Sequence, residues 1–187
     1  MAFRPIISKS SRPDSTSSVI TIKTKPTTRR TSISFNKLTS LEIPSVLSIE
    51  ERNSDYPWSQ LQFTTSIENS NNLCYYLNLN GKTIGYLIAM LAVDTADILN
   101  IGIDPNFKRQ GNGTALLNHF IEELRKRDIG EILLEVRAAN KSAIQFYKKQ
   151  GFEEISVRKN YYTKNSNNQS NREDGIIMSI KIPSTEK

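Results

Sequence analysis

The stretch Leu99-Asn100-Ile101-Gly102-Ile103-Asp104-Pro105-Asn106-Phe107-Lys108-Arg109-Gln110-Gly111-Asn112-Gly113-Thr114-Ala115-Leu116-Leu117, running on to Leu124, decides the fold. An apolar strand ends at Ile103, where Asp104-Pro105 breaks it. A basic loop with two glycines follows, and a helix leaves that loop. Leu116, Phe120 and Leu124 recur every four residues, with Leu117 and Ile121 beside them. The outer face sets Glu122 against Lys126 and Glu123 against Arg127, i,i+4 pairs in the favourable order. Such a strand, turn and helix form an anion site, because the first helical amides lack intrahelical partners and carry the positive end of the dipole. Gly111 and Gly113 allow close approach to the backbone, and Lys108 and Arg109 add charge. The same residues also read as an ordinary tight turn. No Lys-Ser/Thr follows the second glycine, which excludes a Walker loop, and the third glycine of the dinucleotide fingerprint is missing.

Composition narrows the choices. A chain of 187 residues suits one domain with a tail. No apolar run approaches the ~20 residues of a membrane span. Cys74 is the only cysteine and His119 the only histidine, so neither a Cys-based metal cluster, a multi-histidine metal site nor a His-dependent triad is expected. The net charge of +6 is local: residues 1–30 hold seven basic residues against Asp14 alone, while 18 basic and 18 acidic residues balance from residue 31 onward. The folded body thus gives no case for nucleic-acid binding. Residues 1–30, rich in Ser, Thr and Arg, read as a disordered tail: an inert extension, an organelle-targeting presequence, or an arm that touches RNA.

Along the body, residues 32–35 alternate like a first strand. Residues 39–53 read as a helix with Pro44 in its first turn, and Pro57-Trp58-Ser59 opens a second helix that runs to about Ile67. Strands follow at 73–79 and 83–93, joined by an Asn80-Gly81 hairpin turn, with Gly85 a candidate bulge. A further strand at 96–103 leads into the glycine loop. Residues 131–136 form a strand that should lie parallel to 96–103 after a helical crossover. Residues 140–150 form a short helix ended by Gly151. Strands at 152–157 and 175–182 finish the body, around a polar loop at 163–171 read as mobile. The sum is a mixed α/β sheet with helices on both faces.

Three residues after the loop bear on chemistry. Glu135 is the one carboxylate in the apolar strand Ile132-Leu133-Leu134-Glu135-Val136. Burial would raise its pKa toward that of a general base, unless it pairs with Arg137 on the same strand face or reaches solvent. Asn140 sits at an N-cap position. Tyr147 reads as a core aromatic with its hydroxyl at the rim.

Taken together, these pieces resemble the GNAT acetyltransferases. Lys108-Arg109-Gln110-Gly111-Asn112-Gly113 is similar to that family's cofactor loop, Gln/Arg-x-x-Gly-x-Gly/Ala, and Asn140 through Phe152 to its Asn-x-x-Ala-Ile-x-x-Tyr-x-x-x-Gly-Phe run. Pro57-Trp58-Ser59, Leu134 to Ala138, Asn160-Tyr161-Tyr162 and Arg172 to Met178 narrow the resemblance to the RimI-type branch, which acetylates the N-terminal alanine of a small-subunit ribosomal protein. The resemblance covers residues 31–182 as one domain, with 183–187 a C-terminal tail. It implies the GNAT fold, a mostly antiparallel seven-stranded mixed sheet, and acetyl-CoA as co-substrate without a metal. It further implies that Ile101, Gly102 and Ile103 hold the pantetheine arm by their backbone. Arg109, Gln110, Gly111, Asn112, Gly113 and Thr114 would hold the pyrophosphate, with Asn140 also on the cofactor. Glu135 would be the general base and Tyr147 the general acid. The acceptor would be a ribosomal protein N-terminus, or alternatively another protein terminus or a small-molecule amine. A cytoplasmic monomer is expected, or an organellar one if residues 1–30 are a presequence.

Overall fold

The computed structural model describes residues 32–163 and 172–183. The basic tail, residues 164–171 of the polar loop and residues 184–187 lie outside the described residues. The described chain runs β1 (Ile33–Lys37), α1 (Ile43–Glu51), α2 (Gln60–Glu68), β2 (Asn72–Leu79), β3 (Lys82–Leu91), β4 (Thr95–Ile103), α3 (Asn112–Arg125), β5 (Glu131–Arg137), α4 (Lys141–Lys149), β6 (Glu153–Thr163) and β7 (Arg172–Lys181). The seven strands form one sheet in the order β1-β2-β3-β4-β5-β7-β6. Every neighbouring pair is antiparallel except β4 and β5, the expected parallel crossover.

Local signals explain the ends of the elements. The single helix expected over 39–53 divides: Thr39 and Glu42 form a reciprocal cap on a short 3-10 turn, and α1 proper starts at Ile43. Pro44 sits within its first turn. Ser59 and Gln62 cap α2 in the same reciprocal way. Asn80 and Gly81 both take positive φ, 52° and 87°, as a tight two-residue hairpin turn requires. Gly151, at φ 92°, ends α4.

Side-chain alternation sorts two cores onto the two faces. Leu87 and Ala89 of β3 pack with Leu116, Leu117, Phe120 and Leu124 of α3 and Ile144 and Tyr147 of α4. Tyr86 and Ile88, of opposite parity, pack with Val46 and Ile49 of α1 and Phe63 of α2. Strand β5 divides the same way: Ile132, Leu134 and Val136 are buried in the α3/α4 core, so Glu135 and Arg137 belong to the α1/α2 face.

Four pairing irregularities interrupt the sheet, one of them at Ile155 of β6, where Glu154 pairs with Met178 and Ser156 with Ile177. Between β2 and β3, Leu77 pairs with Gly85 and Asn78 with Thr83, leaving Ile84 as the extra residue beside the glycine expected to bulge. Between β3 and β4, Ile88 pairs with Asn100 and Ala89 with Ile98, so Leu99 bulges outward. Between β6 and β7, the register jumps from Arg158 opposite Gly175 to Tyr162 opposite Glu173. The looped-out residues there include Asn160 at φ 51°, and Asp174 clamps them by accepting from the Asn160 amide and from Lys159 Nζ.

Helix α3 also carries a charge cluster. Glu123 binds Lys126 and Arg127, whereas Glu122 takes Arg125 rather than the expected Lys126. The bonds from Lys126 and Arg127 hold the Glu123 carboxyl at about 2. That lies below the unfolded value near ~4.3, so this stabilisation is complete above the unfolded pKa and is lost as pH falls toward the folded one. Glu123→Gln should therefore flatten the fall in melting temperature between about pH 5 and pH 2. A variant that loses stability as steeply as wild type over that range would contradict the assignment.

Candidate active site

The site begins where β4 and β5 part. They pair over only four positions, Thr95 to Ile98 against Glu131 to Leu134. The Leu99 bulge turns β4 away, while β5 continues straight beside β7 as far as Arg137 opposite Gly175. Beyond Ile98 the β5-facing edge of β4 has no strand partner among the described residues. A cavity of about 410 Å³ fills the gap. One wall is Ile98 to Ile101, another is Leu134 to Arg137, and residues of α1, α2, α4 and β6 close the rest.

The parting allows groups from both faces of the sheet to meet. Glu135 comes from the α1/α2 face and Tyr147 from the α3/α4 core, and both line the cavity with Asn140 and Ile101. The Glu135 side chain is 22% exposed and paired, with Arg158 Nη1 at 2.8 Å from its Oε2. The premise of a buried, unpaired carboxylate is thus corrected. Arg137 is not its partner either: its guanidinium goes to Glu173 at 3.3 Å and lies between the Tyr56 and Tyr162 rings, at 4.0 and 4.1 Å. Arg158 in turn stacks on Tyr161 at 3.4 Å. Burial, followed by its contact with the Glu135 carboxylate, pushes the Tyr162 hydroxyl well above its ordinary pKa. Burial alone pushes Tyr147 up in the same direction.

Residues 109–114 lie beyond the end of β4 and do not line this cavity. Their loop is rigidly built. Asp104, fully buried, binds Arg52 at 3.1 Å and Lys82 at 3.5 Å and caps the turn after β4 by accepting from the Asn106 amide. Asn112 spends its side chain inward, donating to the Phe107 carbonyl at 2.8 Å, and Gln110 donates to the Asn106 carbonyl. Arg109 and Gly111 both take positive φ, 58° and 83°. Side chains cap the N-termini of α2 and α4, through Ser59 and Asn140, but Gly111 offers none to α3. The leading amides of α3 are therefore open to an anion. Gly113 packs the start of α3 closely against α4 and the end of β4: a Cβ there would meet the Phe146 ring of α4 at 3.4 Å and Ile103 at 3.8 Å. An extended ligand can run from the α3 amides along the unpaired edge of β4 into the cavity. That is the shape acetyl-CoA requires, with pyrophosphate at one end and thioester at the other.

The other expected residues have definite structural tasks. Asn140 caps α4 by accepting from the Ala143 amide at 3.1 Å. The Ile103 carbonyl accepts from Asn53 Nδ2 at 2.9 Å. His119 stacks on Phe35 and meets Tyr75 edge-on, away from the cavity. Two charged residues that bear on the site were not foreseen: Glu50, which lines the cavity, and Arg158, which pairs with Glu135. Glu50 had a signal: with Val46, Ile49 and Asn53 it sits at i, i+3, i+4 and i+7, on the inner side of α1. Arg158 had none, because its position depends on the pairing of β6 with β7 rather than on its sequence neighbours.

Gly102 lies opposite Tyr86, and a Cβ on it would fall 2.7 Å from the ring. Gly102→Ala should destabilise the protein by ~1–3 kcal/mol, as overpacking against a fixed ring does. An unchanged melting temperature would contradict this packing.

Comparison with known proteins agrees with the geometry. Residues 43–152 match the model of the acetyltransferase (GNAT) family. The ribosomal protein bS18-alanine N-acetyltransferase of Escherichia coli K12 is 40% identical over 151 residues, covering 79% of this chain and 99% of the relative. The crystal structure of the Escherichia coli ribosomal-protein-S18-alanine N-acetyltransferase superposes with a TM-score of 0.74 at 37% identity, covering 83% of this chain and 97% of that one. Arabidopsis thaliana NAA60 in complex with acetyl-CoA shares the fold, with a TM-score of 0.70 at 16% identity, covering 81% of this chain and 99% of that one. The chain belongs to the GNAT family and is an acetyl-CoA-dependent N-acetyltransferase.

Proposed function

We propose that this enzyme acetylates the N-terminal alanine of a ribosomal protein of the bS18 type, with Glu135 as base and Tyr147 as acid. The observation that carries the reading is the meeting of these two side chains, from opposite faces of the sheet, in one cavity beside the unpaired edge of β4. The name and 40% identity of the relative matched over nearly its whole length support the acceptor.

Bound acetyl-CoA would supply an activated acetyl thioester. Ile101, Gly102 and Ile103 would hold its pantetheine arm through the open edge of β4, the Ile103 carbonyl being already engaged by Asn53. Residues 109–114 would hold the pyrophosphate, chiefly through the uncapped amides of α3 and the Arg109 charge, while Asn112 keeps the loop in shape. An α-amine has a pKa of ~7.7–8.0, so roughly a tenth is neutral at pH 7, against well under 0.1% of a lysine at ~10.4. A single carboxylate is therefore adequate for a protein N-terminus. Glu135 accepts the amine's proton as the new amide forms, directly or through one water. Tyr147, kept protonated by burial, donates toward the departing sulfur. Full transfer from such a phenol to a thiolate of pKa ~8.5 is uphill, so its hydrogen bond to the growing charge is the larger contribution. Tyr161 and Tyr162, carried in by the β6 irregularity, would border the acceptor chain.

Incubation of an Ala-initiated peptide with enzyme and acetyl-CoA, followed by mass spectrometry, should find one acetyl group on the α-amine. Glu135→Gln and Tyr147→Phe should each lower kcat at least about tenfold, with unchanged circular dichroism. Near-normal turnover in both would remove the catalytic assignment. Modification of other amines in place of the alanine terminus would remove the acceptor assignment.

A further inference from the structure

The cavity contains a second carboxylate that this reaction leaves unused. Glu50, at the inner side of α1, is 5% exposed and lines the same cavity as Glu135. Its partners are all neutral. Oε1 accepts from the Trp58 amide at 3.0 Å and from Asn100 Nδ2 at 3.3 Å, and Oε2 accepts from the Tyr86 hydroxyl. The other two buried carboxylates each have a cation: Asp104 has Arg52 and Lys82, and Glu173 has Arg137. Among the described residues Glu50 is the buried carboxylate without one. A buried charge is costly until it is compensated. About four acceptor positions exist on a carboxylate, and three of these are filled. A position and a charge remain for a cationic donor that none of the described residues supplies.

We infer that Glu50 is an acceptor-binding residue that draws in and orients the substrate's α-ammonium, so that Glu135 can then take its proton. The inference rests on the reading of the acceptor as a free N-terminus. Charge distribution separates the two carboxylates. Arg158 already compensates Glu135, so Glu50 has the unshared charge to offer an incoming cation. Its neutral donors fix its direction without neutralising it. Asn100, the residue after the Leu99 bulge, brings β4 into this arrangement, and Tyr86 stands against Gly102.

The test uses the full-length enzyme, an Ala-initiated acceptor peptide, and the same peptide with the α-amine replaced by hydrogen, read as a competitive inhibitor. Glu50→Gln should raise KM for the amine peptide roughly ten- to a hundredfold, while Ki for the desamino peptide and KM for acetyl-CoA stay within about twofold. Equal weakening of both peptides would mean that Glu50 only holds Trp58 and Asn100 in place, and would overturn the inference. A second measurement needs no variant: wild-type enzyme should bind the amine peptide more tightly than the desamino peptide by a similar factor, and equal affinity would also overturn it. If wild type acetylates no Ala-initiated peptide, the acceptor reading falls and this inference falls with it.

Discussion

The parallel pairing of β4 and β5 stops after four residues, and the cavity between the two strands depends on that stop. A continuous sheet is a barrier, because each strand position commits its side chain to one face. Glu135 and Tyr147 belong to opposite faces and would never meet across an unbroken ladder. One extra residue, Leu99, turns β4 aside and opens a passage between the layers. The same departure strips β4 of its neighbour and leaves backbone groups for a ligand to pair with. In the function proposed above, a single irregularity supplies both a place for the thioester and a route for the amine.

The two sides of the passage are supported differently. On the side proposed for the cofactor the support is mostly backbone and glycine: an uncapped helix end, left-handed residues at 109 and 111, and a loop tied down by Asn112 and the buried Asp104. On the side proposed for the acceptor it is a network of side chains, with Glu50, Tyr86 and Asn100 in one group and Glu135, Arg158, Arg137 and the tyrosines of β6 in another. This division suits an enzyme of such a family. The thioester donor is shared, so its site can be built from main chain, whereas the acceptor must be chosen by side chains.

Much of the fold could be read from local pattern. The four-residue recurrence of α3, the Asn80-Gly81 turn, the glycine after α4 and the crossover to β5 each depend on neighbouring residues, and each appears as expected. The features that shape the cavity are non-local. Leu99 sits in a run of strand-forming residues, and nothing in residues 96–103 marks it as the surplus one until β3 is laid beside it. Glu135 was identifiable as the lone carboxylate of its strand, but its partner Arg158 lies on β6, two strands away in the sheet, and only the β5-β7-β6 order brings it near. Glu50 stands beside Glu51 in the sequence and nothing in that pair singles it out. Its spacing from Val46 placed it inward, a signal that carries weight only once α1 is known to cover the gap.

The β6 irregularity has a meaning outside the site. Strand β6 is the terminal strand of the sheet, and it is long, with Ile155 and Val157 exposed. A straight apolar strand in that position would offer a template for another chain to pair with and would invite aggregation. Here the regular ladder breaks after Arg158, Asn160 turns left-handed, and Lys159 is pinned by Asp174. The residues that carry Arg158 and the tyrosines toward the cavity also spoil the outer edge for intermolecular pairing. The irregularity that sets the tyrosines of β6 therefore also leaves that edge poorly suited to pairing with another strand.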